Sequence, residues 1–144
     1  MSDLYEGDIL LWSQRQADLL RRRVAGELVN ETELDWPNIA EEIEDVGRSE
    51  LRSCRSLLRQ ALRHMLKAEA WPQSREAPTW RADAIDFRRQ ARDAFAPSMR
   101  QKIDLAGLYA DALAALPDTL DDQAPMPVPS SCPFTLEELL GDTL

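Results

Sequence analysis

Apolar residues recur at helical spacing along almost the whole chain, and no stretch alternates apolar and polar as a half-buried strand does. Residues 3–24 predict a first helix, with Tyr5, Ile9, Trp12, Leu19 and Leu20 on one face. Asp3 and Glu6 have the spacing of a helix-starting cap, Arg21, Arg22 and Arg23 suit the negative end of the helix dipole, and Gly26 marks the exit. After an acidic connection over residues 27–35, Asp35 before Trp36-Pro37 predicts a second start, because proline is tolerated in a first turn whose N–H groups have no helical partner. This helix continues to about residue 69, roughly 50 Å at 1.5 Å per residue. Gly47 is its expected bend or break. Its apolar stripe takes Ile39, Ile43, Val46, Leu51, Cys54, Leu57, Leu58, Ala61 and Met65.

Trp71-Pro72 through Pro78 reads as a loop, and Thr79 as the cap of a third helix with Trp80, Ala84, Phe87, Ala91 and Phe95 inward. Pro97 stops it. Ser98 and Gln101 have capping-box spacing for a fourth helix, lined by Leu105, Leu108, Tyr109, Ala112 and Leu116 and ended by Pro117. Residues 117–133 carry five prolines and no helical period, so an extended tail is expected. Thr135 and Glu138 form a second capping box, opening a short helix with Leu136, Leu139 and Leu140. The expected fold is all-α: a four-helix bundle over residues 1–116 with a long second helix, and a Pro-rich tail over 117–144 whose short helix docks on the same domain.

Composition agrees with one such domain: 144 residues, 44% of them hydrophobic and 30% charged, are enough to bury a core. Five scattered glycines supply no phosphate-cradling loop, and a lone histidine excludes a multi-His metal site within one chain. Cys54 and Cys132 lie 78 positions apart with no C-x-x-C, the pattern of incidental thiols in a reducing cytosol. The acidic start lacks the apolar run of a signal peptide, and no apolar run approaches a membrane span. A cytoplasmic protein is expected, with no membrane partner and no cofactor. The net charge of −9 hides a segregated distribution. Residues 1–50 carry 13 acids and 5 bases, residues 51–102 carry 5 acids and 12 bases, and residues 103–144 carry 8 acids and no base.

Three constellations follow. With Ile43 at zero and 100° per residue, Glu50 falls at about 340°, in the middle of the second helix's apolar stripe, where a carboxylate must be paired, hydrogen-bonded or protonated. His64 edges the same stripe roughly 21 Å further along. Gln16 lies mid-stripe on the first helix and Asp83 borders the stripe of the third. Together with Trp80, Arg81 and Tyr5 these residues suggest a polar pocket inside the bundle, although a structural network that fixes helix register accounts for them better. Glu41, Glu44 and Asp45 share a helix face and are weak candidates for a divalent cation, since the Glu-x-x-His pairs of di-metal bundles are absent. Arg48, Arg52, Arg55, Arg59 and Arg63 all fall between about 120° and 200°, opposite the apolar stripe. A solvated face normally mixes signs, so five arginines with no acid among them suggest a surface that meets an acidic partner. The overall acidity and the lack of aromatic residues on that face speak against nucleic acid. An antiparallel copy would set Glu41 and Asp45 against Arg59 and Arg63, so the partner could be a second copy in a homodimer. The alternative is an enzyme or small-ligand binder with its pocket around Glu50, His64 and Trp80, and no complete catalytic set supports it.

Several segments together resemble one family. They are Tyr5-Glu6-x-Asp8 with Trp12, Leu34-Asp35-Trp36, Glu41-Glu42-Ile43-Glu44-Asp45-x-Gly47-Arg48-Ser49-Glu50, His64-Met65-Leu66-Lys67, Trp80-Arg81 and Cys132-Pro133-Phe134-Thr135-Leu136-Glu137-Glu138-Leu139-Leu140. Their order and spacing resemble domain of unknown function family 29, uncharacterised helical proteins of bacteria. Met65 departs from the leucine usual at its position. The resemblance implies an α-helical fold and a prokaryotic origin, and it supplies no reaction, cofactor or catalytic residue.

Overall fold

The computed structural model describes residues 2–142, with side chains from residue 4 onward. Among these residues the chain is all-α. The helices are α1 (Ser2–Gly7), α2 (Ile9–Val24), α3 (Trp36–Ala70), α4 (Ala77–Ala94), α5 (Leu105–Ala114) and α6 (Leu136–Leu140), with 3-10 turns at Glu31–Glu33 and Pro97–Lys102. None of the described helices is long and apolar enough to cross a membrane. The chain divides into two compact units, Met1–Arg48 and Ser49–Leu144. The division lies inside α3.

In the first unit, the helix expected over residues 3–24 is interrupted at Asp8. This residue leaves helical geometry (φ −151°) and its carboxylate accepts from the Leu11 N–H at 3.1 Å, capping α2. The cap expected from Asp3 concerns a side chain outside the described residues. Gly26, at φ +87°, closes α2 in a left-handed turn: the Gly26 N–H reaches the Arg23 carbonyl and the Glu27 N–H the Arg22 carbonyl, so two otherwise orphaned acceptors are satisfied. Trp12, Leu19, Leu34 and Ile39 form the core of this unit. Tyr5 packs edge-on to Trp12 at 4.8 Å and donates to Glu42 Oε1 at 2.6 Å. That hydrogen bond, with burial and the charge of Glu42, pushes the phenol up to about 12.

Asp35 starts α3 as its position before Pro37 predicts. Its carboxylate accepts from the Asn38 side-chain amide at 2.8 Å and from the Trp12 indole at 3.0 Å, and its own carbonyl accepts from the Ile39 N–H. The Asn38 amide holds the carboxyl below its ordinary value, with partial burial opposing and the Trp12 indole assisting. A depressed folded value means stability that is complete above the unfolded value and is lost as pH falls through the folded one. Thermal melts of wild type and Asp35→Asn are therefore expected to separate at neutral pH and to converge in acid. A gap that stays constant with pH would assign the difference to geometry alone.

Gly47 does not break α3, which runs unbroken for 35 residues. Its apolar stripe is not covered evenly. Ile39 is buried, but Ile43 and Val46, expected in the core, are 68% and 67% exposed. Within the first unit, the turn of α3 carrying Ile39 and Glu42 packs against the core and Tyr5.

In the second unit the core begins one turn beyond Glu50. Cys54, Leu58, Leu62 and Leu66 of α3 pack with Ala91 of α4, Leu108, Tyr109 and Ala112 of α5, and Leu136 and Leu139 of α6. Fully burying a leucine such as Leu58 or Leu62 stabilises the unit by about 1.5–3 kcal/mol. A second cluster gathers Ala68, Trp71, Ala77 and Trp80. Helix α4 starts two residues before the expected Thr79 cap: Pro78 occupies the first turn, and Glu76 stands at the cap position without a side-chain hydrogen bond. Ser98 and Gln101 lie in a 3-10 turn rather than opening the next helix. The cap of α5 is Asp104, whose carboxylate accepts from the Gly107 N–H at 3.1 Å. The tail is pinned through its backbone: Met126 N–H to the Ala70 carbonyl, the Trp71 indole to the Gln123 carbonyl, and the Tyr109 hydroxyl to the Pro129 carbonyl at 2.5 Å. The Thr135–Glu138 capping box opens α6 as predicted.

Candidate functional site

The arginines expected to form one stripe on α3 have different surroundings. Arg48 turns back along its own helix onto Glu41 (2.7 Å), Asp45 (3.4 Å) and Glu44 (3.5 Å). Desolvation works against its charge, and Glu41 and Asp45 outweigh it, raising the guanidinium above its ordinary value. These are the carboxylates considered as cation ligands. They instead form a charged cluster with Arg48 at the surface, and no group of three metal-ligating side chains occurs among the described residues. Arg52 is exposed, while Arg55, Arg59 and Arg63 are half-buried. The Nε atoms of Arg55 and Arg59 are buried with no hydrogen-bond partner among the described residues. Asp111 of α5 stands 3.9 Å from Arg59 Nε, near enough for attraction and too far for a hydrogen bond.

The polar pocket expected around Glu50 lacks its buried carboxylate. Glu50 is exposed, because packing in the second unit starts at Leu51 and Cys54; helical spacing places a residue on a face without showing that anything covers it. This removes the buried carboxylate on which the pocket rested. Gln16 is buried, and both ends of its amide are engaged inside the first unit: Nε2 donates to the Glu33 carbonyl at 3.0 Å and Oε1 accepts from the Asp35 N–H at 2.8 Å. It ties the acidic connection to α2, a structural role. The structure does bring His64 and Asp83 together, with Nε2 and Oδ2 3.8 Å apart, Nδ1 on the Gln60 carbonyl at 2.8 Å, and the ring 5.2 Å from that of Phe87. Trp80 is buried beneath Lys67, whose ammonium lies 5.4 Å from its ring centre. Arg81 is exposed. Burial pushes the Cys54 thiol up, away from the reactive thiolate, and its Sγ lies 3.5 Å from the Ala91 carbonyl, while the half-buried Cys132 has its Sγ 3.4 Å from the Phe134 carbonyl.

Sequence reasoning missed Arg88. It is 9% exposed and donates three hydrogen bonds to the end of α6: Nε to the Leu139 carbonyl at 2.9 Å, and one η-nitrogen to the Glu138 and Gly141 carbonyls at 3.1 and 2.9 Å. A short helix thereby has its orphaned carbonyls capped by a cation, the charge its C-terminus favours. Desolvation and the nearby Arg92 pull Arg88 below its ordinary value, with Asp142 opposing. Arg92 in turn pairs with Asp142, and Arg100 with Glu137. The available signal was Arg88 standing one turn from both Ala84 and Ala91, on the border of the apolar stripe. Arg81, Arg88, Arg89 and Arg92 line one open groove of about 870 Å³.

Residues 4–144 match the family model described as domain of unknown function DUF29. The fold is similar to the crystal structure of an alpha-helical protein of unknown function from Rhodospirillum rubrum. That structure is 33% identical, with a TM-score of 0.68 and alignment over 94% of this chain and 88% of that one. None of the curated proteins compared with the chain matches it. With the family model spanning nearly its whole length and a helical relative at this identity, the chain belongs to the DUF29 family.

Proposed function

We propose that the protein is a helical interaction module that meets an acidic protein surface through Arg52, Arg55, Arg59 and Arg63 of α3. One observation carries the reading: the Nε donors of Arg55 and Arg59 are buried without an acceptor. Both side chains are only half-buried, so the outer part of each guanidinium stays open to a partner's carboxylate, and a charge-assisted hydrogen bond there adds an acceptor that the described residues do not supply. Arg48 drops out of the set, being already surrounded by its own acids. The same pairing weakens an antiparallel homodimer, which needs Glu41 and Asp45 for a second copy. Nucleic acid is disfavoured by the net charge of −9. Two free thiols suit a reducing compartment, so the proposed setting is the cytoplasm.

Recovery of partners from native cells, comparing wild type with Arg55→Glu/Arg59→Glu and with the exposed Arg52→Glu, tests the reading. The expected result is a partner with an acidic surface whose recovery falls at least about tenfold in the double variant, since each guanidinium then repels what it attracted. Circular dichroism checks that the variants keep their helices. Unchanged recovery overturns the reading, and a steep salt-dependent affinity for duplex or single-stranded nucleic acid replaces it.

A further inference from the structure

The arginines of α4 form a second positive face, distinct from that of α3. Taking Arg81 as zero at 100° per residue, Ile85, Arg88, Arg89 and Arg92 all fall within about 100° of one another, so they share one side of the helix. This side lines the open groove, whose apolar part includes Met65, Ala84 and Phe134. Four arginines face two acids there, Glu69 and Asp142. Asp142 is engaged by Arg92, and Arg88 holds only backbone carbonyls, so its buried charge has no carboxylate hydrogen-bonded to it. Arg81 has no polar partner among the described residues. Arg89 meets Asp86 at 4.0 Å, with both side chains about two-thirds exposed, a pair that competes weakly with an incoming anion. Between these two arginines, Ile85 is 46% exposed.

We propose that the groove along α4 binds an extended acidic segment of another protein, with the pattern acid–x–apolar–x–acid. Its two carboxylates pair with Arg81 and Arg89, and its apolar side chain covers Ile85. The register follows from two repeats. Arg81 and Arg89 are eight residues apart on a helix, about 12 Å along its axis. In an extended strand, side chains at i, i+2 and i+4 point the same way and span about 13 Å. A free phosphate or a single carboxylate satisfies one arginine and leaves Ile85 uncovered, so the apolar residue between the arginines favours a peptide over a small anion.

Fluorescence anisotropy of the full chain with a labelled Gly-Glu-Ser-Leu-Ser-Glu-Gly peptide at low salt tests this. Saturable binding is expected, weakened at least about tenfold by Arg81→Glu/Arg89→Glu and several-fold by Ile85→Ser. All three positions are exposed, so the variants are expected to keep the wild-type circular dichroism. A peptide with glutamines for its glutamates, and one with its two glutamates adjacent, are each expected to bind at least about tenfold more weakly. The proposal is overturned if the peptide does not bind saturably, if charge reversal leaves its affinity unchanged, or if the adjacent-glutamate peptide binds equally well. Inorganic phosphate that competes as well as the peptide, mole for mole, also overturns it, in favour of a simple anion site. Arg55→Glu/Arg59→Glu is expected to leave peptide affinity unchanged, so failure on α3 and failure on α4 are read separately.

Discussion

Replacing Arg88 with methionine is expected to cost the second unit about 3 kcal/mol of unfolding free energy, measured by urea denaturation. The side chain is 9% exposed and donates to three carbonyls at the end of α6. Methionine keeps much of the volume and removes the donors, so the Glu138, Leu139 and Gly141 carbonyls lose their cation. They regain acceptor partners only by admitting water, and that requires α6 to loosen from the core. The second expected sign is therefore faster protease cleavage within residues 117–133, the extended segment that α6 anchors. Arg92→Met is the contrast: Arg92 is exposed and its Asp142 partner is 87% exposed, so its loss is expected to cost no more than about 1 kcal/mol. Equal effects for the two arginines would show that burial of Arg88 adds nothing to its hydrogen bonds.

Leu139→Ala is expected to be as severe, at about 3 kcal/mol. Leu139 is fully buried in the main core of the second unit, among side chains of α3, α4 and α5. Its truncation removes about three carbons' worth of apolar contact and leaves a cavity that a close-packed core only partly closes. Leu140, half-buried beside it, serves as control and is expected to cost less. Arg88 and Leu139 hold the same five-residue helix, one by its carbonyl end and one by its apolar face. The double variant is therefore expected to fall short of the sum of the singles, since α6 can be released only once. Strict additivity would show instead that α6 contributes residue by residue and does not dock as a unit.

The local devices in this chain were readable from a few neighbouring residues, and the structure uses many of them. Gly26 closes α2 because a left-handed turn accepts glycine without strain, Pro37 and Asp35 open α3, and Thr135 with Glu138 opens α6. Each is a hydrogen bond or dihedral preference spanning about four residues, so the residues that determine it are adjacent in sequence. Ser98 and Gln101 mark the limit of such reading. The same spacing sits in a 3-10 turn, and Asp104 caps α5 instead, because capping spacing does not choose between neighbouring starts.

The candidate sites depended on what lies across from each face. Glu50 and Cys54 occupy the same angular sector of α3, and only Cys54 has another helix against it. Arg48 and Arg59 share the opposite sector, yet one is ringed by acids of its own helix and the other looks toward Asp111 of α5. Arg88 reads as one more surface arginine until α6 arrives 50 residues later to accept its hydrogen bonds.

What the sequence by itself determined is the all-α class, the run of α3, the start and end signals of several helices, and the segregation of charge into an arginine-rich middle between acidic flanks. Helical period, capping and charge count are properties of neighbours along the chain. Only the tertiary structure decided that Glu50 faces solvent, that Gln16 ties down a connection, that Arg48 is neutralised in place, and that a buried Arg88 holds the tail beside an arginine-lined groove. Burial and pairing are set by the element that crosses a given turn, and that element is chosen by packing between residues tens of positions apart.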